Sequence, residues 1–336
     1  MGRGPRLAML AFGIALFVLV LAVTGAGRIG AIVDADPAWI GVAFLLGFGV
    51  TIVSTFRWGY VTNCLTGRET LRWPQYWAAL MTSRVLGLVV PRTASDLGVR
   101  FVTLTGVGRT TPEVAAASVA LDQLFDMALL LAALVPSLLL LGGAGVWAVA
   151  FGAVAVTTSV VAMLHLGRAV QWFSGVLATL ATRLGNRGGG VGAFFRRRSE
   201  SLVRLSRVEH FTTRQATILA AATLARYALN AAMFWSLAEA LELPISLWTF
   251  VLAGAGVQLS LVAAITPGGL GIMDLGWVGL LTLGGASSEA VGLFIVGQRA
   301  FQYTFFPVMA GLSYVTVLRR GDRAVAEEPS EETAPG

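Results

Sequence analysis

Long apolar runs alternate with short, arginine-bearing gaps along almost the whole chain. A helix needs about 20 apolar residues, each rising 1.5 Å, to cross a hydrocarbon core of about 30 Å. Six runs approach or exceed that length: Leu7–Gly25, Trp39–Phe56, Val114–Leu141, Trp147–Leu166, Ala216–Leu241 and Ala290–Val317. They predict six spanning helices. Two further stretches are apolar but broken. Trp77–Val90 and Leu97–Leu104 flank Pro91-Arg92-Thr93-Ala94-Ser95-Asp96, and the run from Phe250 to Leu283 is interrupted by Pro267-Gly268-Gly269-Leu270-Gly271-Ile272-Met273-Asp274. Unpaired backbone groups cost several kcal/mol in hydrocarbon, so a broken helix at membrane depth survives only inside protein or beside a water-filled cavity. Each broken stretch therefore predicts a re-entrant helical hairpin.

The arginines orient this pattern, because short cytoplasmic loops are enriched in basic residues. With Arg3 and Arg6 inside, the Arg28–Asp36 loop lies outside and the Arg57–Arg72 loop, with Arg68, lies inside. A first hairpin that enters and leaves from the cytoplasm keeps Arg109 inside and puts the Gly142–Gly145 turn outside. The segment Arg168–Arg214 is then inside, Glu239 and Glu242 outside, and Arg319, Arg320 and Arg323 inside. The second hairpin enters from the opposite side. The order helix, helix, hairpin, helix occurs twice, with about 7–141 as a first repeat and about 147–318 as a second. Three spans per unit invert the second relative to the first, as in many secondary transporters. The fold class expected is all-α integral membrane, with six spanning helices, two oppositely oriented re-entrant hairpins and an inverted repeat in one domain, 1–320.

Two segments fall outside the spans. Residues 183–214 start with Gly185-Asn186-Arg187-Gly188-Gly189-Gly190 and continue with Phe195, Leu202, Leu205 and Val208 at near-helical spacing opposite Arg196, Arg197, Arg198, Arg204 and Arg207. They read as a cytoplasmic linker ending in an interfacial amphipathic helix on anionic lipid, with docking of a cytoplasmic enzyme as the alternative. Residues 321–336, with Glu327, Glu328, Glu331 and Glu332, read as a disordered acidic tail. The run after Arg6 exceeds the roughly 7–15 residues of a signal-peptide core and reads as an uncleaved first helix.

Composition agrees with a membrane protein: 56% of residues are hydrophobic and 12% charged. The net charge of +6 comes from arginine alone, since lysine is absent. Arginines clustered in the gaps signal orientation and anionic lipid rather than nucleic acid. The single cysteine, Cys64, has no partner for an internal disulfide and no His or Cys at ligand spacing. No metal or other cofactor is expected. His165 and His210 belong to no shared motif, and no nucleophile with a base is visible, so the expectation is a non-enzyme.

Ionisable groups inside spans are expensive and mark candidate sites. The first hairpin carries Arg84, Arg92, Asp96 and Arg100, and the i,i+4 spacing of Asp96 and Arg100 lets them pair. The third span carries Asp122 and Asp126, also at i,i+4. Arg226 and Asn230 share a face of the fifth span, Arg299 lies beside Gln298 and Gln302 in the sixth, and the second hairpin holds Gln258 and Asp274. Together these predict a polar cavity between two hairpins, with arginines for an anionic headgroup and carboxylates for a positive group or for protons. The alternative is that Asp122, Asp126, Arg226 and Arg299 are buried pairs joining helices. Gly268, Gly269 and Gly271, after Pro267, would let backbone amides at a half-helix N-terminus approach a phosphate without a Cβ in the way.

At these residues the chain resembles the lysylphosphatidylglycerol synthase transmembrane region, or flippase-like domain. The family pattern has an element like Pro-x-Arg-x-Gly-Glu-x-x-Arg, a helix element like Glu-Arg-x-x-Asp, and an element Pro-Gly-Gly-Leu-Gly-x-x-Glu. Pro91, Arg92, Asp96 and Arg100 look like the first; Asp122-Gln123-Leu124-Phe125-Asp126 is similar to the second; Pro267–Asp274 is similar to the third. Asp96 and Asp274 stand where Glu is usual, Asp122-Gln123 replaces Glu-Arg, and Ser95 replaces Gly with altered spacing to Arg100. The resemblance covers about Leu7 to Arg319 and implies a stand-alone member without a soluble synthase domain. It further implies binding of membrane lipids, with an anionic headgroup or polyprenyl phosphate, and movement of that lipid between leaflets of the cell membrane. A non-transporting partner for a lipid-linked glycosyltransferase or synthase is the alternative. Both termini would be cytoplasmic in this multi-pass topology.

Overall fold

The computed structural model describes residues 34–143, 212–263 and 266–326, with scattered positions between 14 and 30 and between 145 and 161. Named helices among the described residues are α1 (Pro37–Thr66), α2 (Trp73–Leu86), α3 (Arg92–Gly106), α4 (Pro112–Leu141), α5 (Thr213–Ala240), α6 (Leu247–Ala263), α7 (Ile272–Leu283) and α8 (Ser288–Ala326). The chain is thus a helical membrane protein. Most of the expected Leu7–Gly25 and Trp147–Leu166 spans, and most of the 183–214 linker, lie outside the described residues, as do 327–336. Helix α8 itself continues to Ala326, through the first residues of the expected tail.

Helices α1, α4 and α5 are long and apolar enough to cross a membrane. At 1.5 Å per residue the 30 residues of α1 extend about 45 Å, beyond a hydrocarbon core of about 30 Å. Local sequence fixes the ends of α1. Asp36 caps its N-terminus by accepting from the Ala38 N–H at 2.8 Å, and Gly67 closes it with a left-handed φ of 66°. Outward-facing Leu45, Leu131, Val135 and Leu224 are exposed, as a lipid-facing surface requires.

The two broken stretches form pairs of short helices. In the first, α2 has 14 residues and α3 has 15; in the second, α6 has 17 and α7 has 12. The longest of the four extends about 26 Å, less than the hydrocarbon core. Arg92 begins α3 and Asp96 lies in its second turn, so the break occupies 87–91 rather than 91–96. The second span is also longer than its apolar run suggested. Helix α1 runs ten residues past Phe56, and Arg57, expected in a cytoplasmic loop, is a helical residue 1% exposed. Trp58, Val61 and Leu65 keep the inward face apolar beyond Arg57, so the helix does not stop there.

The described helices occur as long, short, short, long, and then again. Their packing follows the same exchange: α1 lies against α5, α4 against α6, and α8 against α2. Each hairpin's first helix therefore seats on the last helix of the other set. An aromatic cluster of Phe234, Phe250, Trp277 and Phe294 fills the space among α5, α6, α7 and α8. A second apolar cluster, with Val61, Leu121, Phe125 and Leu219, joins α1, α4 and α5. The first core also takes in Trp77, Leu80 and Met81 of α2, so helices of both hairpins share it.

Candidate functional site

The tips of the two hairpins touch. The Gly268 N–H donates to the Gly87 carbonyl at 2.8 Å, and Pro91 and Pro267 pair as an isolated antiparallel bridge. Positive φ values of 61°, 66° and 77° at Gly268, Gly269 and Gly271 make the second turn, a conformation costly to any residue with a Cβ. The neighbouring amides are all engaged within the protein. Gly269 N–H donates to Thr266 O at 3.0 Å, Leu270 N–H to Pro267 O at 3.0 Å, and Gly271 N–H to Asp274 Oδ2 at 2.8 Å. These amides, expected to approach a phosphate, are here hydrogen-bonded within the protein, and the Gly268 and Gly269 carbonyls face Arg299.

Arg299, from the middle of α8, grips the whole second turn. Its Nη2 lies 2.7 Å from Asp274 Oδ1 and 2.9 Å from Oδ2, and its Nε lies 3.0 Å from Oδ1. Nη1 donates to Gly268 O at 2.8 Å. Asp274 is fully buried and Arg299 is 4% exposed. Desolvation offsets much of the attraction in a buried pair, while removing one partner leaves the other charge uncompensated. Asp274 and Arg299 thus act as a clasp on the tip.

A larger network joins five helices. Arg57 of α1 donates from Nε to Asp122 Oδ1 at 2.7 Å and forms a two-pronged contact with both oxygens of Asp126, all on α4. Arg100 of α3 donates to Asp122 Oδ2 at 2.6 Å and, one turn away, to Asp96 at 3.4 Å. Its guanidinium lies 5.1 Å from the Trp58 ring centre, a cation–π contact. Asp96 also accepts from the Ser83 hydroxyl at 2.6 Å, which ties α3 to α2. Arg226 of α5 pairs with Asp126 at 2.7 Å.

Beside this network is an open cavity lined by both sides of the pairs and by Arg84, Arg92, Gln123 and Gln258. Five arginines (Arg57, Arg84, Arg92, Arg100 and Arg226) face it against three aspartates (Asp96, Asp122 and Asp126). Arg84 approaches a carboxylate only at 3.9 Å, on Asp96. No described residue gives the Arg92 guanidinium a hydrogen bond or an ion pair within 4 Å. A second, adjoining cavity shares Ser54, Arg84, Arg92, Arg226 and Gln258 with the first. Its other walls are mostly apolar, including Met81, Met233, Phe234, Phe301, Phe305 and Phe306. A cationic chamber therefore opens beside a greasy one, with Arg84, Arg92 and Arg226 on the border.

The predicted residues divide by position. Arg92, Asp96, Arg100, Asp122, Asp126 and Arg226 gather around the first cavity. Pro267, Gly268, Gly269, Gly271, Asp274 and Arg299 form the clasped tip next to it, with Gln302 and Met273 reaching the apolar chamber. Arg57, the centre of the network, was not among the expected site residues. Its signal lay in the sequence after it, where Trp58, Tyr60, Val61 and Leu65 continue a helical apolar face. Among the described residues, no group of His, Cys, Asp and Glu is arranged to hold a metal ion.

No curated protein matches the chain. The family model described as the lysylphosphatidylglycerol synthase TM region matches residues 7–311, and the chain belongs to that family of membrane proteins.

Proposed function

We propose that the protein binds the anionic headgroup of a membrane lipid, polyprenyl-phosphate-linked lipids included, in the cavity between the hairpins and moves that lipid between leaflets of the cell membrane. The carrying observation is the pairing of a cationic chamber with an apolar one, joined at Arg84, Arg92 and Arg226. A lipid needs both environments at once. Arginine suits the headgroup side because it stays charged and offers a planar fork of donors to phosphate oxygens.

The helix lengths support re-entrant hairpins that come from opposite faces of the bilayer and meet at Pro91 and Pro267. The exchange-symmetric packing of α4 with α6 and α8 with α2 supports an inverted repeat. In such a design a central site is exposed to one side and then the other as one repeat rocks against its counterpart. The tip contact between Gly87 and Gly268 is then the closure that must loosen during each cycle. Both termini are cytoplasmic in this arrangement.

The test is leaflet exchange of labelled lipids in liposomes reconstituted with the full chain. Wild type exchanges an anionic lipid faster than empty liposomes, and Arg92→Ala reduces that exchange at least severalfold while folding normally. Exchange no faster than empty liposomes for any lipid class tried overturns the proposal. If charge reversal at Arg196–Arg198 abolishes function in cells while Arg92→Ala has no effect, the protein is instead a scaffold for a lipid-linked glycosyltransferase or synthase.

A further inference from the structure

The charge count around the cavity says more about the headgroup than its sign. Arg57 is matched by Asp122 and Asp126, Arg100 by Asp96 and Asp122, and Arg226 shares Asp126 with Arg57. Among the described residues three carboxylates thus serve three guanidiniums, while Arg92 has no ion-pair partner and Arg84 only a 3.9 Å approach to the shared Asp96, a formal excess of two positive charges on the described lining. The nearby Arg299 does not alter this excess, because Asp274 neutralises it in a bidentate pair. Arg226 adds a donor that is spare in another sense: its Nε is buried and has no acceptor among the described residues. Arg84 and Arg92 are half-buried on the cavity wall, and a ligand of matching charge there supplies the counter-charge that the described residues do not.

We infer that the headgroup taken here is a dianionic phosphate, a phosphomonoester or diphosphate, carried on an apolar tail. This rests on the lipid-binding role proposed above and narrows it. A phosphodiester lipid brings one negative charge and leaves half of the excess unmet. A phosphomonoester carries about −1.5 to −2 at pH 7 and presents three strong acceptor oxygens. Three oxygens correspond to the three border guanidiniums, Arg84, Arg92 and Arg226, which line both chambers. The tail then runs from that border into the apolar chamber, toward Phe301 and Phe305.

The measurement is competitive binding to the detergent-solubilised full chain, read by native mass spectrometry at pH 8. The probes are phosphatidic acid and phosphatidylglycerol with identical acyl chains, phosphatidylcholine as a neutral-headgroup control, and inorganic phosphate alone. Phosphatidic acid binds about tenfold or more tightly than phosphatidylglycerol, the size of one added charge-assisted hydrogen bond. Arg92→Gln and Arg84→Gln each bring that ratio close to unity, and Arg92→Lys, which keeps the charge, retains most of it. Equal binding of the two anionic lipids, or an unchanged ratio in both glutamine variants, overturns the dianion assignment and leaves the lipid-binding role standing. Failure of both anionic lipids to outcompete phosphatidylcholine overturns the two together. Inorganic phosphate binding as tightly as phosphatidic acid overturns the requirement for a tail.

Discussion

Arg57 and Arg92 show how differently two arginines of one cavity are employed. Arg57 is buried and holds two carboxylates of α4, so Arg57→Ala leaves Asp122 and Asp126 short of their main counter-charge. A loss of about 3–5 kcal/mol is expected, the usual result of breaking a buried pair from one side, read as a lowered unfolding midpoint in detergent. Arg92 has no such partner among the described residues, and Arg92→Ala is expected to change stability by no more than about 1 kcal/mol while weakening lipid binding. The contrast separates a residue that builds the site from one that uses it. A sequence shows both as arginines beside apolar runs. Arg92 stood out as a candidate from its position after Pro91. The partners of Arg57 did not, because an arginine at the end of an apolar run looks the same whether it anchors a loop or crosses to a helix 65 residues away. The Asp274–Arg299 clasp was hidden for the same reason: each residue stood out, but a separation of 25 positions carries no periodic signal.

At the scale of the element, the hairpins depend on a few backbone positions. Gly268 has a φ of 61° and its Cβ position would lie 3.4 Å from the Leu88 carbonyl, an ordinary contact. The cost of Gly268→Ala is therefore conformational, about 1–2 kcal/mol, and falls on the tip contact rather than on the packed core. Asp274→Asn acts on the same element through charge. It removes the counter-ion of Arg299 and lowers the unfolding midpoint more than Gly268→Ala does. The glycines and prolines made both breaks legible in sequence, since few other residues interrupt an apolar helix. The direction of the peptide groups was not legible: the same glycine run could present amides or carbonyls, and Arg299 selected the carbonyls. The hairpins also make a topological prediction. Thr111, before α4, and Ser287, before α8, lie on opposite faces of the membrane if both hairpins are re-entrant. In intact cells a cysteine replacing Ser287 reacts with a membrane-impermeant thiol reagent and one replacing Thr111 does not; the reverse pattern contradicts the arrangement.

The whole molecule joins two similar sets of helices so that each hairpin is braced by the other set. The repeated order of long and short apolar segments was legible in the sequence, but which helix each hairpin packs against was not. The chamber itself was only partly legible, because its apolar half is built from ordinary core residues such as Met233, Phe301 and Phe305 that no pattern sets apart. What matters for function is whether lipid passes through that chamber. Ser54 lies on the wall common to both cavities, and among the described residues its hydroxyl donates only to the Val50 carbonyl of its own helix, so cysteine replaces it with little change. In a Cys64→Ser background, Ser54→Cys protein in liposomes is modified with a negatively charged thiol reagent, labelling is measured by mass, and leaflet exchange is compared before and after. Full modification is predicted to bring exchange down to the rate of empty liposomes, with reduction of the adduct restoring it. Unchanged exchange by fully modified protein would contradict a path through this cavity.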